Sequence, residues 1–153
     1  MAPPSARRQD RFTEHYPSLA AELLNPLLDL LGRSREAFDG DLDTFLILLV
    51  ILARTAQHPQ FRKLTQGSLL SGEVAALPSL RTNLRSIAAS IGVPRESVRR
   101  KVSVLVERGW VVRAGRDLFL DAEAYRRLVT VHTGVERLAV RNFDVISAAL
   151  GAR

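Results

Sequence analysis

The chain has no cysteine in 153 residues. That excludes a disulfide frame, a thiolate metal site and a thiol nucleophile, and it fits an expected cytoplasmic location. Histidine is scarce: His15, His58 and His132 lie far apart, and none has an acid or second histidine at the spacing of a metal-binding helix. Each reads as a surface or capping residue, so no metal is expected. No glycine-rich loop that could cradle a phosphate and no nucleophile elbow is present. No catalytic residue, cofactor or enzymatic activity is therefore expected. The longest apolar run, Phe45 to Ala53, has nine residues, against about twenty for a bilayer span. The opening MAPPSARRQDRF has basic residues but no apolar run behind them, so neither a secretory leader nor a membrane partner is expected.

What the chain does have is basic charge, and it is localised. The net charge is +6. Residues 1–77 carry eight Lys or Arg against nine Asp or Glu, and residues 121–153 carry five against four. Residues 78–120 carry nine against three. A charge run is usually a solvated face. An excess confined to one short module is also the electrostatic footprint of a phosphate-binding surface.

The same module carries the clearest pattern, LRSIAASIGVPRESVRRKVSVLVERGW from Leu84 to Trp110. Leu84, Ile87, Ala88 and Ile91 fall within about 60° on a helical wheel, one apolar stripe. Thr82 or Asn83 can cap that helix. Gly92 can end it in the left-handed conformation, and Pro94 bars a continuous helix through the turn. A second helix, about residues 96–108, has its own stripe of Val98, Val102, Leu105 and Val106. Neither helix can bury its stripe alone, so the two must cross: a helix-turn-helix. On the face left over stand Glu96, Arg100 and Ser103, flanked by Arg99, with Arg95 at the helix start. Guanidinium groups in that position can bond guanine O6 and N7 bidentately, and serine can reach phosphate or base. After Gly109, Trp110-Val111-Val112-Arg113 and Leu118-Phe119-Leu120 read as paired strands around Ala114-Gly115-Arg116-Asp117. Arg116 at the hairpin tip either touches a minor groove or phosphate, or is a solvated turn residue.

This segment resembles the winged-helix modules of bacterial transcription regulators over about residues 78–121. Arg95-Glu96-Ser97-Val98-x-Arg100 is similar to the recognition-helix opening of the Crp/Fnr family. Gly92-Val93-Pro94-Arg95, Val98-Arg99, Leu105 and Gly109 are similar to the GntR family. The first resemblance implies base or phosphate contacts for Arg95, Glu96 and Arg100; the second implies them for Arg95 and Arg99. Lys101 departs from both patterns, which carry an apolar residue or alanine there. The β-rich effector domain of Crp/Fnr proteins and the larger C-terminal domain of GntR proteins have no counterpart in this chain.

The remainder reads as helical extensions. Residues 1–12 are expected to form a flexible arm, with Arg7, Arg8 and Arg11 either solvated or touching DNA. Residues 13–77 are expected to form a helical core and dimerisation part. Within it, Pro17 suits a first helical turn, Pro26 is expected to kink or divide the helix with Asn25 capping the second piece, and Gly32 is expected to end it. The leucines there exceed one core stripe and point to another subunit. Asp39, Asp41 and Asp43 read as helix-capping acids rather than a cation site, because a calcium loop needs more oxygen ligands and a bidentate Glu. The run from Phe45 to Ala53 predicts a strut buried on all sides, with Arg54 and His58 opposing the dipole at its far end. Residues 59–79 have no clear period, and Leu80-Arg81-Thr82 is expected to be a short strand pairing with the hairpin. From Asp121, a cap, a C-terminal helix over 122–153 carries Ala124, Leu128, Val131, Val135 and Leu138 at heptad-like spacing, a dimer seam that Gly134 weakens.

The expected fold class is mostly α with a small β-hairpin wing: a winged helix-turn-helix with N- and C-terminal helical extensions. The expected function is sequence-specific binding of double-stranded DNA as a homodimeric transcription regulator. The contact set is Arg81, Arg85, Arg95, Glu96, Ser97, Arg99, Arg100, Lys101, Ser103, Arg113 and Arg116. The alternative is a winged helix that binds protein rather than DNA, which would favour apolar residues on the exposed face; only Val104 fits that. The sequence marks no effector ligand.

Overall fold

The computed structural model describes residues 4–151. It is mostly helical, with one two-stranded antiparallel sheet among the described residues. The order is α1 (Pro4–Ala37), α2 (Leu42–Ala56), a 3-10 turn (Phe61–Lys63), α3 (Gln66–Ser71), α4 (Leu84–Ile91), α5 (Arg95–Glu107), β1 (Val111–Ala114), β2 (Asp117–Leu120), α6 (Ala122–Arg127) and α7 (Val129–Leu150). The chain divides into two compact units: residues 1–34 with 130–153, and residues 35–129.

The second unit is built on α2. Asp41 caps it through Thr44 N, and Phe45, Ile47, Leu48 and Ile51 are buried. Burying each such side chain contributes roughly 1.5–3 kcal/mol before entropy is counted. Against them pack β2, α4 and α5, which bring Leu118, Ile87, Val98, Val102 and Leu105, all buried. The strut is not buried all round: Leu46 and Ala53 are exposed. Its packing partners in this unit cover one side, so the apolar run is longer than the contact it makes.

The two crossed helices start and stop where local chemistry dictates. Asn83 Oδ1 accepts from Arg85 N and Ser86 N while Ser86 Oγ accepts from Asn83 N, a reciprocal cap. Gly92, at φ 68°, ends α4. α5 follows from Arg95, one residue earlier than Glu96, with Pro94 at its N-cap and no side-chain cap. The hairpin register pairs Val111 with Leu120 and Ala114 with Asp117, leaving Gly115 and Arg116 as the loop. Gly115 has φ 60° and Arg116 does not share the positive φ, the pattern of a type II′ turn. Leu80, Arg81 and Thr82 do not form a third strand. Only Thr82 O accepts from the hairpin, from Leu118 N at 2.9 Å, because Leu80 N is drawn to Arg54 O instead.

Residues 59–79 hold more structure than their irregular pattern predicts. Thr65 caps α3, and α3 packs on α6, with Tyr125 Oη donating to Gln66 Oε1 at 2.8 Å and Phe61 edge-on to Tyr125.

The first unit is a pair of helices. α1 is one helix of 34 residues through Pro17, Pro26 and Gly32. Asn25 and Gly32 therefore lie inside it, and residues 4–12 are its first turns rather than an irregular arm; residues 1–3 lie outside the described residues. Pro17 is exposed and Pro26 borders an open depression, so the carbonyls their rings leave unbonded lie on the wet side, and each proline costs one ladder bond rather than the helix. α7 packs against α1 where Gly134 meets Leu30; a Cβ on Gly134 would lie 2.8 Å from Leu30 Cδ1. Gly134 is thus a close-approach site. Far along the pair, Arg11 Nη2 donates to Leu150 O at 3.3 Å, so the helices run antiparallel. The single C-terminal helix is broken at Leu128, which leaves helical geometry at ψ 13°. The heptad-like seam does not persist: Ala124 and Leu128 are buried in the second unit, Val131 in the first, and Val135 is exposed.

Candidate functional site

Three elements of the second unit meet at one open cleft of about 620 Å³. Asn83, Leu84 and Arg85 come from the start of α4, Arg95 from the start of α5, and Arg113, Gly115 and Arg116 from the hairpin. The positions follow from the local rules above: the reciprocal cap fixes Asn83 and Arg85, Pro94 sets Arg95 at the first turn, and the two-residue loop puts Arg116 at the tip. All four arginines are exposed, and none has an ion-pair partner among the described residues. Four guanidinium groups held around one cavity repel each other unless an anion lies between them. α5 begins at Arg95, which lines the cleft, and its first amides have no side-chain cap, so the positive end of its dipole lies at that rim.

A second open depression, about 340 Å³, shares Leu84 and Arg113 and adds Arg99, Ser103, Val106 and Glu107. There Arg99 is not free. Its Nε and Nη2 donate to Glu96 at 2.6–3.1 Å. Those hydrogen bonds, with the charges of Arg99 and Arg100, hold the Glu96 carboxyl below its ordinary range; the same bonds and the Glu96 charge raise the Arg99 guanidinium above its own. Ser103 Oγ donates to Arg99 O at 3.0 Å, so its hydroxyl proton is spent on the helix.

The remaining sequence candidates separate. Arg100 is exposed on α5 and lines neither depression. Ser97 is half-buried. Arg81 sits beside the loop end of the hairpin, 3.6 Å from Asp117 Oδ2, which flanks the Gly115-Arg116 turn. Lys101 turns away from the others: Nζ donates to Asp41 Oδ2 at 2.5 Å, and its side chain is 25% exposed. A lysine held in that ion pair with the cap of α2 is not a free phosphate contact. Sequence reading missed Asn83 and Gly115 as walls of the cleft; both were legible only as cap and turn residues, since neither carries charge.

Chemically the cleft offers fork-shaped donors with no acceptor of their own, suited to phosphate oxygens. No family model matches the chain, and neither does any curated protein or solved structure.

Proposed function

We propose that the chain is a sequence-specific binder of double-stranded DNA that acts as a transcription regulator, with residues 78–121 working as a winged helix-turn-helix. α5 enters the major groove, with Arg95, Arg99 and Arg100 toward base edges. The hairpin lies along the adjoining backbone, with Arg113 and Arg116 on phosphate or in the minor groove. One observation carries this reading: Arg85, Arg95, Arg113 and Arg116 surround a single open cleft without a counter-charge. The concentration of the chain's positive charge in residues 78–120 supports it. The exposed leucines of α1 and the exposed Val140 and Phe143 of α7 support a homodimer, which would place two modules on two half-sites.

The test is selection of bound duplexes from a random pool by the purified protein, followed by affinity measured across a salt series. An enriched motif is expected, with log K falling against log salt at a slope of about −3.6 or steeper if four phosphates are neutralised per module. No enrichment together with a flat salt response would remove the proposal and leave the basic face to an acidic protein.

A further inference from the structure

A recess of about 190 Å³ lies on the opposite side of α5, lined by Phe38, Asp39, Asp41, Thr44, Lys101, Val104, Arg108 and Trp110 among others. Its floor is aromatic. Phe38 packs against Phe45 at 5.7 Å and edge-on to Trp110 at 5.5 Å. Its two walls have opposite sign: the turn before α2 supplies Asp39 and Asp41, and α5 with its C-cap supplies Lys101 and Arg108. Asp41 and Lys101 satisfy each other. Asp39 and Arg108 have no ion-pair partner among the described residues. The turn that presents Asp39 is the left-handed ending of α1, with Asp39 at φ 53° and Gly40 at φ 85° and Gly40 N donating back to Arg35 O at 2.8 Å.

We propose that this recess binds a small aliphatic amino-carboxylate zwitterion. Its ammonium group pairs with the acidic wall at Asp39 and its carboxylate with the basic wall at Arg108. Its hydrocarbon part covers Val104, which is otherwise an exposed apolar side chain, and the Trp110 ring. Asp39 and Arg108 are both exposed, and a ligand of one charge would pair with only one of the two walls. The space equals roughly six waters at ~30 Å³ each, the scale of a branched-chain α-amino acid. Lys101, Val104 and Arg108 lie on the helix that also carries Arg95, Arg99 and Arg100, so occupancy would bear on that helix. The binding itself stands whether or not the chain binds DNA.

Trp110 is the chain's single tryptophan, so its fluorescence reports this recess directly. The full chain is titrated with L-leucine and L-valine to 20 mM, and with two halves of leucine: 4-methylpentanoate, which lacks the ammonium, and 3-methylbutylamine, which lacks the carboxylate. A saturable change with at least one amino acid is expected, with each half at least tenfold weaker. Asp39→Asn and Arg108→Gln should each weaken binding at least tenfold while keeping the wild-type circular dichroism; Asp43→Asn, outside the recess, should not. No saturable response to either amino acid, halves that bind as well as the whole, or equal binding by the two recess variants would each overturn the proposal.

Discussion

Asp41 holds two elements with its two carboxylate oxygens: Oδ1 accepts from Thr44 N at 3.1 Å and Oδ2 from Lys101 Nζ at 2.5 Å. The first bond caps α2 and the second ties that cap to α5. Asp41→Ala should cost about 1 kcal/mol for the cap alone, and Asp41→Asn less, because an amide oxygen can still cap. Burial pushes the Asp41 carboxyl up, but the bonds from Lys101 and Thr44, with the Lys101 charge, outweigh it and leave it lowered. A lowered carboxyl stabilises the fold above its unfolded value, about pH 4, and that contribution is lost as pH falls through the folded value. The stability difference between wild type and Asp41→Asn should thus be flat from pH 5 to 7 and shrink below pH 4. Asp41 is 39% exposed, so added salt should reduce the difference. Denaturant melts at pH 3, 5 and 7 check it, and a difference that grows toward acid would be the wrong sign.

The pair between Glu96 and Arg99 makes Glu96→Gln informative. Losing the carboxylate frees the Arg99 guanidinium and removes a negative charge from the proposed contact face. Affinity for unrelated duplex should rise, and the salt slope should steepen by up to about 0.9 if Arg99 then neutralises one more phosphate. Filter binding at four salt concentrations measures both. A fall in affinity confined to one base position would mean instead that Glu96 itself accepts from a base amine.

Arg100 and Arg116 occupy different settings and should fail differently. Arg100 stands alone on the exposed side of α5, whereas Arg116 shares the cleft with three other arginines. Arg100→Ala is expected to cost roughly 1–3 kcal/mol on the best site and relax preference at one base pair. Arg116→Ala should weaken all duplexes alike and flatten the salt slope by about 0.9. Competition binding against single-base variants separates these outcomes, and unchanged affinity in both would remove α5 and the hairpin as contacts.

Much of the second unit was legible because its signals are local. Asn83, Gly92, Gly109 and Asp121 punctuate the chain through backbone chemistry within a few residues, and the observed helix and strand limits follow them. What the sequence hid was nonlocal. Lys101 looks like a phosphate contact until Asp41, sixty residues away, is seen beside it. Pro26 looks like a break because one lost bond weighs heavily in a short helix, yet α1 runs on for 34 residues. Leu128 fits a continuous seam because its spacing is right; the break there depends on what each side packs against. The arginines were nameable, but their convergence on one cleft needed the hairpin turn and the α4 cap at once.

Gly134 faces Leu30 at the closest approach of α1 and α7. Alanine would gain about 1 kcal/mol of helix propensity, but its Cβ would displace Leu30 Cδ1, the end of a rotatable though buried side chain. The two effects oppose, and Gly134→Ala should stay within about 1 kcal/mol of wild type. Gly134→Leu has no such escape, since Leu30 Cβ and Cα already lie 3.8 and 3.9 Å from the added Cβ. It should destabilise the helix pair by about 1–3 kcal/mol or more. Thermal melts of both variants give the order, and a Leu variant as stable as Ala would mean the helices do not pack there.

The same pair leaves apolar side chains uncovered: Leu28 of α1 is 63% exposed, and Val140 and Phe143 of α7 are 59% and 69% exposed. Wheel positions put Phe143 and Val140 on the side of α7 away from Gly134, so closing α1 against α7 cannot bury them. Val140 and Phe143, three residues apart on one helix, form an exposed apolar pair that marks an association surface, and for the proposed regulator the partner is a second copy. Sedimentation should therefore give a dimer at micromolar concentration. Phe143→Glu should shift it toward monomer with unchanged circular dichroism, since the substituted side chain already faces water in a single chain. If two modules then act through one dimer, the variant should lose affinity for a duplex with two half-sites by about 10²–10⁴ while keeping its affinity for one half-site. A wild-type chain that stays monomeric at 100 μM (about tenfold above that range) would show that this surface has some other occupant.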